Sequence, residues 1–256
     1  MKVLTIGDVV GEAGIDTLHG LLRRVKREHG ADFVIVNGEN AADGNGITPA
    51  AAEHILDSGA DAITAGNHTY RRREFYELLD GSPCIIRPGN YPASAPGKGW
   101  CVVDKGRFQV TVINLMGVVY MEPLACPFET LDRLLEEAGH PKFCVVDFHA
   151  EATAEKKALA YYADGRISAL FGTHTHVQTA DGQILPKGTG FLSDAGMTGP
   201  VESVLGIRPE LAIAKMRDKL PVRFATAPGP CMLNAVLFVL DDATGRTVEV
   251  QTLDLR

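Results

Sequence analysis

Two histidines separated by a single residue stand directly after an apolar run in the second half of the chain. They are His174 and His176, in the segment 171–176 with the sequence FGTHTH. Alternate side chains of extended backbone point to the same side, so this spacing predicts that both imidazoles face one point. Neutral imidazole is the commonest metal ligand in proteins. The segment therefore indicates a metal site.

Four other apolar, strand-like segments also end at a carboxylate, an amide or an imidazole. With the histidine pair they supply seven candidate metal ligands, which are Asp8, Glu39, Asn40, Asn67, His149, His174 and His176. Functional sites of α/β proteins form beyond the carboxyl ends of strands, so we expect these side chains to meet at one sheet edge. Oxygen and nitrogen ligands without thiolate favour manganese, iron or zinc.

The number of candidate ligands bears on the chemistry. Seven are too many for one ion that keeps open positions, and they predict two divalent ions about 3.5–4 Å apart that share a bridging carboxylate. Such a pair activates water, clamps a phosphoryl oxygen and offsets developing negative charge. The set therefore favours hydrolysis of a phosphate ester.

Several of these residues also have an ordinary structural explanation. Asp8 can cap a helix that covers residues 13–29. Glu39 and Asn40 can organise a turn, and Asn67 can adopt a positive φ in a loop. Taken together, these explanations leave five coincidences along one chain, which is why a shared site is the preferred interpretation.

Hydrophobic periodicity predicts the elements that position these ligands. Early strands, such as 2–7 and 33–36, alternate with helices, which is typical of a layered α/β domain. A later hairpin at 100–104 and 108–115 adds antiparallel strands. This mixture predicts two sheets packed face to face in a single domain at 1–256. The predicted helices cover 15–29, 49–58, 71–80, 127–138 and 153–164.

A long connection between Gly196 and Pro230 interrupts this pattern. It contains several Gly and Pro residues and one helix-like stretch, Pro209 to Lys219. Long connections in compact domains are often functional, so we interpret this one as a small excursion at about 196–230 that serves homo-oligomer contacts. An ordinary surface loop that contains a helix fits the same pattern.

Composition limits the partners of the chain. Lys and Arg number 25 and Asp and Glu number 32, which gives a formal net charge of -7. This balance disfavours general nucleic-acid binding, whereas a small anionic substrate is compatible because a bound metal reverses the local field. The cysteines form no Cys-x-x-Cys pair, and no apolar run suits a signal peptide or a membrane span. We expect a cytoplasmic protein without a membrane partner.

The motif set resembles that of the calcineurin-like metallophosphoesterases, whose motifs in order are Asp-x-His, Gly-Asp, Gly-Asn-His, His and Gly-His-x-His. The matching segments here are GD at 7–8, GEN at 38–40, GNH at 66–68, His149 and GTHTH at 172–176. The phrases GDVVG, NGENAA and AGNHT are more similar to the YmdB-like branch of bacterial phosphodiesterases. The resemblance extends from residue 3 to about residue 240. Val10 and Glu39 depart from the wider pattern, since they stand where histidine and aspartate are usual.

The resemblance implies a four-layer α/β/β/α sandwich of two mixed β-sheets with two divalent ions, iron or manganese in the first place and zinc as the alternative. Glu39 would bridge the ions, and His68 would bind no metal but would protonate the leaving oxygen. By residue-by-residue carry-over, one ion takes Asp8, Glu39, Asn40 and His176, and the other takes Glu39, Asn67, His149 and His174.

The same branch implies hydrolysis of phosphodiesters, including 2′,3′-cyclic nucleotides, by a metal-bound hydroxide that attacks phosphorus while His68 acts as general acid. Two other classes of function are open. A regulatory protein could hold a metal and a nucleotide and signal through oligomer contacts with little turnover. A hydrolase of carbon–nitrogen bonds could use similar ligands, although it has no need of an acid that faces a phosphate.

Three further features have alternative interpretations. The glycines Gly7, Gly11 and Gly14 fit a dinucleotide-binding loop poorly, because their spacing is G-x-x-x-G-x-x-G. The arginines at 71–73 either contact phosphate or form the solvated start of a helix. Asp147 either supports a ligand or faces solvent or another loop.

Overall fold

Thirteen strands form two sheets in the computed structural model, which describes residues 1–256. In chain order they are β1 (Lys2–Ile6), β2 (Asp8–Val9), β3 (Phe33–Asn37), β4 (Ala62–Thr64), β5 (Trp100–Asp104), β6 (Gln109–Met116), β7 (Cys144–His149), β8 (Ala169–Thr173), β9 (Gln183–Ile184), β10 (Gly190–Leu192), β11 (Met197–Pro200), β12 (Cys231–Leu240) and β13 (Thr247–Leu255). One sheet has the order β2-β11-β12-β1-β3-β4, with β13 also paired to β12, and the other has the order β5-β6-β7-β8-β10-β9.

Six α-helices and a short 3-10 helix at Arg73–Phe75 accompany the sheets. The α-helices are α1 (Gly11–His29), α2 (Pro49–Asp57), α3 (Tyr76–Gly81), α4 (Pro127–Glu137), α5 (Thr153–Ala163) and α6 (Pro209–Asp218). In α1, buried residues such as Leu18, Leu22 and Val25 recur at helical spacing, and Gly30 ends the helix with a φ of 63°. This helix begins at Gly11, before the first residue of its predicted range.

Alternation along the strands divides the core into three layers. In β1, Val3 packs between the two sheets, whereas Leu4 packs on the opposite face with residues of α1. In β7, Val145 lies between the sheets and Val146 packs with residues of α4 and α5. Successive strand side chains point to opposite faces, so each sheet packs against helices on one face and against the other sheet on its opposite face. This arrangement confirms the predicted α/β/β/α sandwich.

Parallel pairing aligns the carboxyl ends of the strands that precede the candidate ligands. Strands β1, β3 and β4 run parallel in the first sheet, and β6, β7 and β8 run parallel in the second.

The long connection after residue 196 begins differently from its predicted loop, because Met197–Pro200 pair with β2 and β12 as strand β11. None of the helices combines the length and the apolar character needed to cross a membrane.

Candidate metal centre

All seven predicted ligands and His68 meet at the edge where the parallel strands end. They lie in β2 and just after β3 and β4 in the first sheet, and at the end of β7 and just after β8 in the second. These residues are Asp8, Glu39, Asn40, Asn67, His68, His149, His174 and His176. The strand-end argument therefore predicted the location of the cluster correctly, and the side chains come from both sheets.

Four electron-pair donors converge on one side of Glu39. His149 Nε2 lies 2.9 Å from Asn67 Oδ1 and 3.1 Å from His174 Nδ1. The same nitrogen lies 3.4 Å from Glu39 Oε1. The ligand atoms of Glu39, His149 and His174 all lie within 4.8 Å of one another. This group coincides with the ligand set predicted for one of the two ions.

The remaining predicted ligands surround the amide of Asn40 on the other side of Glu39. Asn40 Nδ2 lies 2.8 Å from Glu39 Oε1 and 3.1 Å from His176 Nε2. It lies 3.4 Å from Asp8 Oδ1, and His176 Nε2 is 3.6 Å from that same oxygen. Oxygen Oε1 of Glu39 thus belongs to both groups, which is the position that a bridging ligand needs.

Hydrogen bonds on the far side of the His149 ring determine which nitrogen faces the centre. Thr173 Oγ1 donates to Asp147 Oδ1 at 2.7 Å, and it therefore accepts from His149 Nδ1–H at 2.9 Å. Asp147 is fully buried and supports this ligand rather than facing solvent. In the neutral form of the ring, which is the form that binds a metal, the lone pair of His149 Nε2 consequently points at oxygens of Glu39 and Asn67. Acceptors that face one another in this way fit a bound cation.

Burial and the charges of the centre shift the pKa values of several of its members, and burial also raises that of Asp8. Burial raises the pKa of Glu39, but His149 and His68 outweigh burial and hold it well below its ordinary value. Burial lowers the pKa of His149, yet neighbouring carboxylates, Glu39 first, raise it to about 9. Burial and the charge of His149 lower the pKa of His174 to about 3, which keeps that ring neutral and able to bind a metal.

Gly66 of the Gly-Asn-His motif lies against the middle of the centre. A Cβ atom at this position would be 2.4 Å from Glu39 Oε2 and 2.4 Å from His149 Nε2. A side chain therefore cannot be added without moving a ligand. Close approach explains the glycine here, and this packing between distant segments leaves no signal in the local sequence beyond the motif itself.

The backbone conformation of the histidine pair differs from the extended conformation predicted from the sequence. Strand β8 ends at Thr173, and His174 and His176 have φ values of 98° and 62°. Extended backbone with alternating side chains is therefore not what aligns the two rings. Positive φ is strained for residues other than glycine and persists where the surroundings over-determine it, often at functional sites.

A buried ion pair holds this strained turn. Lys156 of α5 donates to Asp194 Oδ2 at 2.8 Å and to the carbonyl of Thr173 at 2.9 Å. The same carboxylate accepts from the backbone N–H of Thr175 at 3.1 Å and from its hydroxyl at 2.8 Å. Both charged side chains are almost fully buried. The pair was missed because lysine on a helix and aspartate in a loop carry no local sign of their meeting.

His68 contacts the bridging carboxylate and points its other nitrogen at a loop. Its Nδ1 lies 3.0 Å from Glu39 Oε1, and its backbone N–H donates to Glu39 Oε2 at 2.9 Å. Its Nε2 lies 3.2 Å from Asn45 Nδ2. Asn45 has a φ of 72° between two glycines that also have positive φ. The Gly-Asn-Gly sequence was therefore the available signal for this turn. Arg72 holds this loop by donating to the carbonyls of Asp43 and Asn45.

The long connection also contacts a predicted ligand. His176 Nδ1 lies 3.1 Å from the carbonyl oxygen of Leu205, to which it donates, so Nε2 is free to face the centre. Leu205 and Gly206 have φ values of 54° and 91°, and a Cβ at Gly206 would lie 2.5 Å from Val10 Cγ1. Val10, the residue that departs from the histidine of related motifs, therefore packs beneath the turn that orients His176.

The fold is of the metallophosphoesterase type. A putative 5′-nucleotidase from Staphylococcus aureus shares the fold at a TM-score of 0.61 and 15% identity, with 100% of this chain and 54% of that chain covered. The chain itself belongs to the YmdB-like protein family, whose model matches residues 4–253.

Individual relatives agree with this assignment. The chain is 45% identical over 254 residues to a Bacillus subtilis protein named 2′,3′-cyclic-nucleotide 2′-phosphodiesterase, with 99% of this chain and 96% of that protein covered. A hypothetical protein from Thermus thermophilus has a TM-score of 0.94 at 40% identity, covering 99% and 98% of the two chains. A novel phosphatase from Mycoplasma pneumoniae has a TM-score of 0.94 at 32% identity, covering 100% and 93%.

Proposed function

We propose that this chain is a metal-dependent phosphodiesterase that hydrolyses 2′,3′-cyclic nucleotides. The observation that carries the proposal is the position of Glu39 between two groups of donor atoms, with Asn40 at 2.8 Å and His149 at 3.4 Å from the same oxygen. The name of the Bacillus subtilis relative, at 45% identity, supports the substrate class.

The donor set supports two divalent ions at the centre, iron or manganese in the first place and zinc as the alternative. When bound, the ions would supply Lewis-acid stabilisation of the phosphoryl oxygens and activation of water. Glu39 would belong to both sites. The other ligands would be Asp8, Asn40 and His176 for one ion and Asn67, His149 and His174 for the other. Asn40 would bind through its amide oxygen, with the amide turned from the orientation in which Nδ2 donates to Glu39.

His68 would act as the general acid. Its Nδ1–H donates to Glu39 Oε1. Nε2 would then carry the transferable proton. It faces the side-chain amide of Asn45, which must turn its oxygen toward Nε2 to accept a hydrogen bond from the protonated ring. As water adds to phosphorus and the bond to the ribose oxygen breaks, that oxygen takes the proton from His68. The buried Glu39 holds His68 through two hydrogen bonds, one from the ring nitrogen Nδ1 and one from the backbone N–H.

The assembly of the protein is a further part of the proposal. Helix α6 exposes Ile213 and Met216, and Leu220 is exposed just beyond its end. Apolar side chains grouped in this way support homo-oligomer contacts made by the long connection. Light scattering is expected to report a multiple of the 27.5 kDa chain mass. The mass of one chain at micromolar concentration would refute this part alone.

Two variants test the catalytic proposal. Glu39→Ala is expected to lose tightly bound metal and turnover of bis(4-nitrophenyl) phosphate together, because both groups of donors lose their shared oxygen. His68→Ala is expected to keep the metal and lose turnover by roughly 100- to 10,000-fold, the range for a general acid. Metal content is measured by plasma mass spectrometry, and Glu249→Ala, an exposed carboxylate on β13, is the matched control.

The outcomes separate the proposal from its alternatives. A metal-free preparation that hydrolyses the diester as fast as the loaded protein would refute the mechanism. Tight binding of a cyclic nucleotide with negligible hydrolysis by the loaded protein would favour the regulatory binding protein. Faster hydrolysis of amide than of phosphodiester substrates would favour a carbon–nitrogen hydrolase.

A further inference from the structure

A cleft of about 500 Å³ opens between the loop that follows Asn40 and the end of the long connection. Nothing in the mechanism above uses it. Six residues line the cleft, namely Asp43, Gly44, Arg223, Phe224, Ala225 and Thr226. Its volume is within the range of pockets that hold small ligands.

One wall of the cleft is continuous with the loop that contacts the proposed acid. Gly44 directly precedes Asn45, whose side chain lies 3.2 Å from His68 Nε2. Consecutive Cα atoms are about 3.8 Å apart, so this wall begins within one residue of the partner of His68. The cleft and the proposed acid therefore share one loop.

The other wall is continuous with the segment that orients His176. The backbone N–H of Ala227 donates to the carbonyl of Gly206 at 2.9 Å, and Gly206 directly follows Leu205. A Cβ on Gly11 would lie 2.9 Å from Thr226 Oγ1 and 3.0 Å from Asp43 Oδ1. The two walls therefore meet at Gly11.

The cleft combines an aromatic face with hydrogen-bonding groups of both kinds. Phe224 is 45% exposed. Arg223 is exposed and forms no ion pair, whereas Arg208 and Arg217 of the same connection pair with acidic neighbours. Asp43 supplies acceptors on the opposite wall. A flat heterocycle with donor and acceptor edges fits these groups, because stacking uses the face of the ring and the charged residues use its edge.

We propose that this cleft is the nucleobase subsite, in which Phe224 stacks on the base and Arg223 and Asp43 contact its edge. The inference depends on the proposed function, because it assigns the part of the cyclic nucleotide that the metal centre does not contact. It makes Phe224 a residue that determines affinity for nucleotides without taking part in bond breaking.

The test compares two substrates that share the reacting group. One is adenosine 2′,3′-cyclic phosphate, and the other is 1-O-methylribose 2,3-cyclic phosphate, which lacks the base; hydrolysis of each is followed by phosphorus NMR. Phe224→Ala and Phe224→Leu are expected to raise KM for the nucleotide roughly 5- to 100-fold, the factor that corresponds to loss of base stacking. Both variants are expected to leave the base-free substrate unchanged. Phe224→Trp keeps an aromatic ring at this position and is expected to retain the native KM for the nucleotide.

Controls keep the result interpretable. Tyr161→Ala removes another exposed aromatic, on α5, and is expected to change neither substrate. Hydrolysis of neither substrate by the native protein defeats the proposed function itself. Hydrolysis of the nucleotide with a KM that Phe224→Ala and Phe224→Leu leave unchanged overturns only the subsite. A changed oligomer mass with an unchanged KM assigns the cleft to subunit contacts and also overturns it.

Discussion

At the scale of single residues, the centre depends on the lack of a side chain at Gly66 as much as on the predicted ligands. The missing side chain of Gly66 lets the Asn67 segment approach Glu39 and His149, since a Cβ would lie 2.4 Å from each. The hydroxyl of Thr173 has a comparable effect on direction, because it links His149 Nδ1 to Asp147. These close contacts therefore set the geometry of the donor atoms at the centre.

Gly66→Ala tests this dependence. The added methyl group must displace Glu39 or His149, so the variant is expected to lose at least roughly 100-fold in diester turnover, as expected for misplacement of about 1 Å. Bound metal, measured by plasma mass spectrometry, is expected to fall with it. Gly20→Ala is the matched control, because no atom lies within 4 Å of that position in α1, and stability is expected to rise by about 0.5–1 kcal/mol.

At the scale of elements, the turn after β8 is strained and its support comes from elsewhere. Lys156 of α5 and Asp194 after β10 hold the backbone of Thr173 and Thr175 on either side of His174. A buried pair costs much when one member is removed, because the other charge is left without a partner in the core. The pair therefore couples the stability of the fold to the geometry of the ligands.

Lys156→Met is expected to lower the free energy of unfolding by about 3–5 kcal/mol, because it leaves Asp194 buried and unpaired. Urea unfolding measures this change. The adjacent Lys157→Met is the matched control, since Lys157 is 46% exposed and its nearest carboxylate oxygen, on Asp181, is 3.9 Å away. The control is expected to change stability by about 0–1 kcal/mol. Equal effects of both substitutions would contradict a special role for the buried pair.

Sequence reasoning succeeded where the signal was local. Apolar runs that stop at Asp8, Glu39, Asn67 or His149 place these residues at strand ends, and parallel strands bring such ends together. It failed where two distant segments determine the geometry. The positive φ values of His174 and His176 follow from the fit of their turn against Asp194 and Leu205, and no periodicity in the chain encodes those contacts.

At the scale of the whole molecule, the centre belongs to neither sheet alone. Glu39 and Asn67 follow strands of the first sheet, and His149 and His174 belong to strands or loops of the second. The apolar layer between the two sheets, which includes Val3, separates the strands that carry the ligands of the first sheet from those that carry the ligands of the second. The formal net charge of the chain, -7, disfavours a general basic surface for nucleic acid.

The most direct measurement is anomalous X-ray scattering at the iron, manganese and zinc edges, on crystals of protein purified without added metal. The account predicts two peaks that flank the Glu39 carboxylate. One peak is expected beside Asn67, His149 and His174, and the other beside Asp8, Asn40 and His176. Peaks that lie away from Glu39, or a single ion that contacts neither group of donors, would contradict the account.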